Sequence, residues 1–202
     1  SYRRSTHKGA IPYGETFSFY RANLQRRYGN DGNDSFLRKW EEITLERMRD
    51  WGFTSFGNWV DPAFFKAKKV PYFANGWIIG DFKTLSGYKN HWGLMPDPFD
   101  PVFAERTRHT IDVLAKKVDN SPWCVGIFID NEKSWGERQG SVAQRYGVIL
   151  DALSKTSSQS PAKAAFTKTL QQKYGNISAL NEAWSTSISD WDSFANSLSI
   201  SE

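Results

Sequence analysis

Ser121-Pro-Trp-Cys-Val-Gly-Ile-Phe-Ile-Asp130-Asn131-Glu132 is the stretch on which the fold turns. From Trp123 to Ile129 it carries no charge, the mark of a strand buried on both faces of a parallel sheet. The run then breaks abruptly into Asp130, Asn131 and Glu132. A carboxylate at the C-terminal tip of such a strand serves no packing purpose, and in parallel α/β architectures that edge is where ligands bind. The run therefore indicates both the scaffold and the place on it to look for chemistry.

Upstream of it, Asp100-Pro101 opens an amphipathic helix with Val102, Phe103, Thr107, Ile111, Leu114 and Val118 on its inward stripe, closed by Asp119-Asn-Ser-Pro122. Before that helix comes a long loop, 76–100, and before the loop a strand from Val70 to Asn75. Asp61-Pro62 starts a brief helix through Lys69, and Phe53 to Trp59 reads as a short strand. Two helices precede these. One runs from Thr16 to Tyr28 with Phe17, Tyr20, Leu24 and Tyr28 on one stripe and Gly29 as its stop. The other runs from Ser35 to Gly52 with Phe36, Trp40, Ile43, Met48 and Trp51 inward. Downstream, helices are expected at 141–155 and 161–174, with a helical turn at 179–184 and a Ser/Thr-rich tail. Alternating helices and strands are the signature of a parallel α/β sheet. A complete eight-stranded (β/α)8 TIM barrel takes about 250 residues, and three strands in 202 residues read as part of one.

Composition narrows the function classes. Hydrophobic residues make up 39% and charged residues 24%, ordinary for a globular domain. The net charge of +4 comes from scattered Lys and Arg with no basic stripe, so neither nucleic acid nor a membrane is an expected partner. The single cysteine, Cys124, excludes an internal disulfide and reads as an inert core residue. Nine Trp, in a chain with 15% aromatic residues, are out of the ordinary. Some belong to an aromatic core, and others are suited to stack on sugar rings, whose C–H faces are apolar. No cofactor or metal is expected, because His7, His91 and His109 lack a second ligand at metal spacing.

All three expected strands end in amides and aromatics: Asn58-Trp59 with Asp61, Asn75 with Trp77, and Asn131-Glu132 with Lys133 and Trp135. Asn is depleted in strands, so this recurrence points to a cleft rather than to packing. Hydrogen-bonding amides beside flat rings suit a carbohydrate. Glycoside hydrolysis needs a carboxylic acid to protonate the leaving oxygen and a second carboxylate as nucleophile or base. Glu132 is the candidate acid, burial there would keep it protonated, and Asn131 is placed to bind an adjacent sugar hydroxyl. The plainer alternative has Asp130 and Glu132 capping the next helix or pairing with Lys133 and Arg138. Asp81, His91 and Trp92 in the long loop are candidate substrate contacts.

Five stretches resemble a known family: Phe19 to Gly29, Arg49 to Trp59, Pro71 to Asp81, Met95 to Phe103, and above all Ser121 to Gly136. They are similar to the β-agarases of glycoside hydrolase family fifty, and Lys173 to Trp184 is similar to a segment of the related family forty-two β-galactosidases. The resemblance implies a retaining glycosidase on a (β/α)8 barrel, with the visible strands its second to fourth. Residues 1–202 would then be a partial catalytic domain truncated at both ends. Asn131-Glu132 would be the clan's acid/base pair. The implied reaction is hydrolysis of β-1,4 linkages in agarose, often exo, releasing neoagarobiose, in a secreted or periplasmic protein. The clan's nucleophile is a glutamate at the seventh strand, and neither Glu137 nor Glu182 nor Glu202 is placed to substitute for it. The 202 residues alone are therefore expected to be inactive. Two other readings stay open, a β-galactosidase-like hydrolase of the same clan and a non-catalytic carbohydrate-binding protein.

Overall fold

Ser18 decides where the first helix begins. Its hydroxyl accepts the Arg21 N–H at 3.2 Å, so α1 covers Phe19–Tyr28 and not the expected span from Thr16. Thr16 and Phe17 instead close a hairpin strand. In the computed structural model, which describes residues 2–6, 13–29, 31–89 and 93–198, β1 (Tyr2–Thr6) pairs antiparallel with β2 (Tyr13–Phe17), Tyr2 opposite Phe17. The chain divides into two compact units, residues 1–74 with 120–126, and residues 75–119 with 127–202.

In the first unit, α2 (Ser35–Asp50) buries Phe36 completely beneath the Arg21 guanidinium, 4.9 Å above the ring. Arg21 is held there by Asp34 at 2.6 Å. The apolar stripe expected on α1 is only partly covered: Tyr20 is exposed, Leu24 and Tyr28 are half-buried, and Trp51 after α2, expected inward, is exposed. The strand expected at 53–59 is reduced to one parallel bridge, Phe56 to Tyr72. The cause is local. Asn58 Oδ1 accepts the Trp59 N–H at 3.0 Å, and Trp59 turns into the left-handed region at φ 73°, so the chain leaves the sheet direction after Phe56. Asp61 caps a 3₁₀ turn, Pro62–Ala67, through Ala63 N–H at 2.9 Å. That turn drives Phe64 and Phe65 into the core, Phe65 stacked on Tyr72 at 4.1 Å and Phe64 against Phe56 at 4.8 Å.

Strand β3 (Tyr72–Gly76) lies beside the strand quoted at the outset. Within the long loop expected at 76–100, β4 (Thr84–Leu85) and β5 (Met95–Pro96) form a short antiparallel pair. Helix α3 (Pro101–Val118) follows, capped by Asp100 as expected, with Val102 N–H donating at 2.9 Å. Of its expected inward stripe only Leu114 is buried, whereas Val102 and Ile111 are exposed. The opening run forms β6 (Cys124–Ile129). Tyr72 N–H donates to Trp123 O at 2.9 Å, and Asp130 N–H donates to Gly76 O at 2.9 Å. Start meets start and end meets end, so β3 and β6 are parallel.

Beyond β6 the expected helix at 141–155 is two helices, α4 (Val142–Arg145) and α5 (Gly147–Leu153), broken at Tyr146. Then come α6 (Pro161–Tyr174), α7 (Ile177–Trp184) and α8 (Trp191–Asn196), the last inside the expected tail. Leu170, Leu180 and Phe194 form the core of this helical cluster. Among the described residues the fold is thus mixed helix and strand, with three two-stranded sheets, none of them closed. One correction concerns the run itself. Val125 is 60% exposed, Ile127 48%, Phe128 44% and Ile129 40%, so β6 is not buried on both faces. Among the described residues β6 pairs with β3 only, and its outward side chains stay open because no described element packs over them, since the faces of a sheet are covered by packed layers and not by neighbouring strands.

Candidate active site

At the tip of β6 the backbone leaves extended geometry. Asp130 adopts φ 54° and Glu132 φ 49°, both in the left-handed region that non-glycine residues rarely enter. This turn ends the ladder and delivers Asn131 and Glu132 to the rim of a cavity of about 480 Å³. Ile78, Met95, Pro96, Phe103, Phe128 and Ile129 form its apolar wall, and the segment from Asp130 to Lys133, with Trp135, its polar lip. The arrangement is an acid at the edge of an apolar hollow with the Trp135 indole also on its lining.

Glu132 is exposed, contrary to the burial expected from sequence. The hollow walls it on one side only. The alternative pairing of the acids is resolved in part. Asp130 takes Lys133, with Nζ 3.9 Å from Oδ2, and its other oxygen accepts the Ile78 N–H at 3.0 Å. No described residue forms an ion pair or hydrogen bond with the Glu132 side chain, and Glu132 caps no helix, since Ser141 caps α4 with its hydroxyl and Gln144 closes the box. So Asp130 is the structural acid of the turn and Glu132 is the available one. Glu137, in the same loop, lies 3.8 Å from Lys89.

The other candidates fall in three groups. Asn75, Trp77 and Asp81 share the unit of Glu132, with Asn75 half-buried on β3 and Trp77 42% exposed just after it. Trp135 is 70% exposed at the cavity lip. Asn58, Trp59 and Asp61 belong to the other unit, and there Asp61 acts as the cap of the 3₁₀ turn and Asn58 as the brace of Trp59. His91 and Trp92 lie outside the described residues. No group of His, Cys, Asp and Glu able to hold a metal occurs among the described residues.

Sequence reasoning missed the way the long loop is anchored. Ser134 Oγ donates to Gly87 O at 3.0 Å, and Lys83 Nζ donates to the carbonyls of Ser158 and Gln159 at 3.1 and 2.8 Å. Asp97, fully buried, accepts from Ser160 Oγ at 3.1 Å and Ala162 N–H at 2.9 Å, an anion seated on the first turn of α6. No local pattern could reveal this seat, because Asp97 and its partners on α6 lie some sixty residues apart in sequence.

No family model matches the chain. Beta-agarase B from Vibrio sp. (strain JT0107) is 46% identical over 198 residues, covering 98% of this chain and 20% of that protein. Beta-agarase A from the same strain is 38% identical over 198 residues, covering 92% of this chain and 19% of that protein. Among solved structures, PfGH50B superposes with a TM-score of 0.87 at 48% identity over 99% of this chain and 28% of that one. An exo-β-agarase superposes with a TM-score of 0.88 at 49% identity over 97% of this chain and 26% of that one. The chain thus spans about a fifth of the length of the curated relatives it matches.

Proposed function

The chain is a segment of the β-agarase family, glycoside hydrolase family fifty, and from that premise we propose that the protein to which it belongs hydrolyses the β-1,4 linkages of agarose by a retaining mechanism. The observation that carries the reading is Glu132, a carboxyl unpaired by any described residue at the end of a parallel strand and at the rim of a 480 Å³ hollow. Glu132 protonates the glycosidic oxygen as a second carboxylate attacks the anomeric carbon and the bond to the leaving sugar breaks. In the second step Glu132, now ionised, takes a proton from water as water displaces that carboxylate. Asn131 hydrogen-bonds the hydroxyl beside the reacting carbon, and Trp77 and Trp135 offer faces for stacking, with Asn75 and Asp81 as polar contacts. The attacking carboxylate is assigned, by the resemblance to the family, to a glutamate at a seventh strand that these residues do not include. β3 and β6 are then the third and fourth strands of a (β/α)8 barrel, and the bridge at Phe56 is a remnant of the second. Action is exo, releasing neoagarobiose, and a polymeric substrate places the protein in the periplasm or outside the cell.

The decisive experiment is Glu132→Gln in the full-length protein. Turnover of agarose is expected to fall by about 10²–10⁴-fold, the usual share of a general acid/base, with agaro-oligosaccharide affinity retained. Unchanged turnover assigns the acid elsewhere. A time course showing disaccharide from the first minutes supports exo action, and a ladder of longer products refutes it.

A further inference from the structure

Trp77 is held from both sides by one residue. The carbonyl before it, Gly76 O, accepts the Asp130 N–H at 2.9 Å. The amide after it, Ile78 N–H, donates to Asp130 Oδ1 at 3.0 Å. Asp130 therefore brackets the indole-bearing residue with its own main chain and side chain, two residues ahead of Glu132. The Trp77 carbonyl is fixed a third time by Thr110 Oγ1 at 3.1 Å. Gly76 gives the bracket no slack, because a Cβ there would stand 2.6 Å from Leu114 Cδ1. Lys133 Nζ lies 3.9 Å from the other carboxylate oxygen, an ion pair without a hydrogen bond, and the Asp130 and Lys133 side chains are 10% and 24% exposed.

We propose that Asp130 is the positioning residue of this site, bracketing Trp77 and holding the left-handed turn that presents Glu132, so that stacking surface and acid keep a fixed separation. The inference rests on the reading of Glu132 as acid/base. The residue type fits the task. A left-handed backbone at φ 54° is tolerated best, among non-glycine residues, by Asp and Asn, whose short side chains bond nearby backbone. The same short side chain reaches the Ile78 amide, and a glutamate would overshoot by a methylene. Two left-handed residues flanking Asn131 store strain that lasts only while the surroundings impose it. The bond from Ile78 N–H to Asp130 Oδ1 is what imposes it here.

The test uses Asp130→Asn and Asp130→Ala in the full-length protein, with Glu132→Gln beside them. Asparagine keeps an acceptor and tolerates the backbone, so kcat is expected within about threefold of the parent. Alanine is expected to lose about 10- to 100-fold in kcat with KM far less changed, the scale of an ångström misplacement of a catalytic group. Hydrogen exchange on the 75–80 peptide should quicken markedly in Asp130→Ala and not in Asp130→Asn, at equal folded fraction by thermal melting. Parent-like kcat in Asp130→Ala overturns the proposal. So does an Asp130→Asn variant as slow as the alanine one, or a kcat loss that disappears once activity is scaled to folded protein. If Glu132→Gln keeps full turnover, the acid/base reading fails, and with it the role toward Glu132, while hydrogen exchange still reports the bracket around Trp77 independently of any reaction.

Discussion

Gly87 stands where no other residue fits. A Cβ built on it would run into the carbonyl oxygen of Ser134, and Gly147, at the start of α5, approaches the same loop less closely, its own Cβ position 2.8 Å from the Tyr88 nitrogen. Gly87→Ala must push the 134–137 segment away, and it is expected to cost about 1–3 kcal/mol, the range of overpacking. A urea midpoint unchanged from the parent would show that the loop yields freely. Lys163 makes a second prediction. It is fully buried, donates to Leu153 O at 3.2 Å, and lies 4.5 Å from the Phe194 ring centroid. Desolvation by burial lowers its pKa from the ordinary 10.5. Between that lowered value and 10.5 the unfolded chain holds the proton that the folded chain has released. Stability is therefore expected to rise with pH through that window, and the burial cost to be present in full below it. Lys163→Met should remove the rise. Denaturant titrations along a pH series approaching 10.5 check this, and an identical slope in the variant would assign the effect to another group.

At the level of elements, Asp100 does two jobs: one oxygen caps α3 at Val102 N–H, and the other accepts Lys83 N–H at 2.6 Å. Asp100→Ala is expected to cost about 2 kcal/mol, at the upper end for a lost cap because a second amide is orphaned. Asp100→Asn should recover part of it, which thermal melting of the two variants measures. Such caps explain what was legible in sequence. Asp61-Pro62, Asp100-Pro101 and Ser160-Pro161 announce their helices because the signal lies within three residues of the structure it makes. Strand β6 was legible from its apolar run for the same reason. Its exposure was not, since burial depends on what packs against a strand and not on the strand. The strand expected at 53–59 failed at Asn58-Trp59, whose turn overrides the β-propensity of its neighbours. β4 and β5, two residues each, are too short for any period. Helix α8 was missed although Asp190 caps it through Ser193 N–H, because the surrounding serines read as a tail. At the candidate site, the placement of Asn131 and Glu132 just beyond β6, on the lining of the hollow, was legible from the end of the apolar run. The bracket of Asp130 on Trp77 was not, since it joins segments 52 residues apart.

At the scale of the whole molecule, the apolar residues of β6 and Val102, Ile111 and Val113 of α3 remain exposed among the described residues. Exposed apolar surface of that kind marks a surface that another part of a protein covers. The separately expressed segment is therefore expected to bind a hydrophobic dye such as ANS more strongly, mole for mole, than the full-length protein. Equal dye fluorescence would mean that the surface stays open in both. The anchoring of the long loop has a consequence for heredity. Lys83, Asp97 and Ser134 tie residues 83–97 to the start of α6 and to the segment after Glu132. A recombination crossover placed in α3 would give a chimera a loop from one parent and its moorings from the other. Chimeras between related agarases crossed over in α3 are therefore expected to fold only where both parents carry matching partners for Lys83, Asp97 and Ser134, which thermal melting of such hybrids checks.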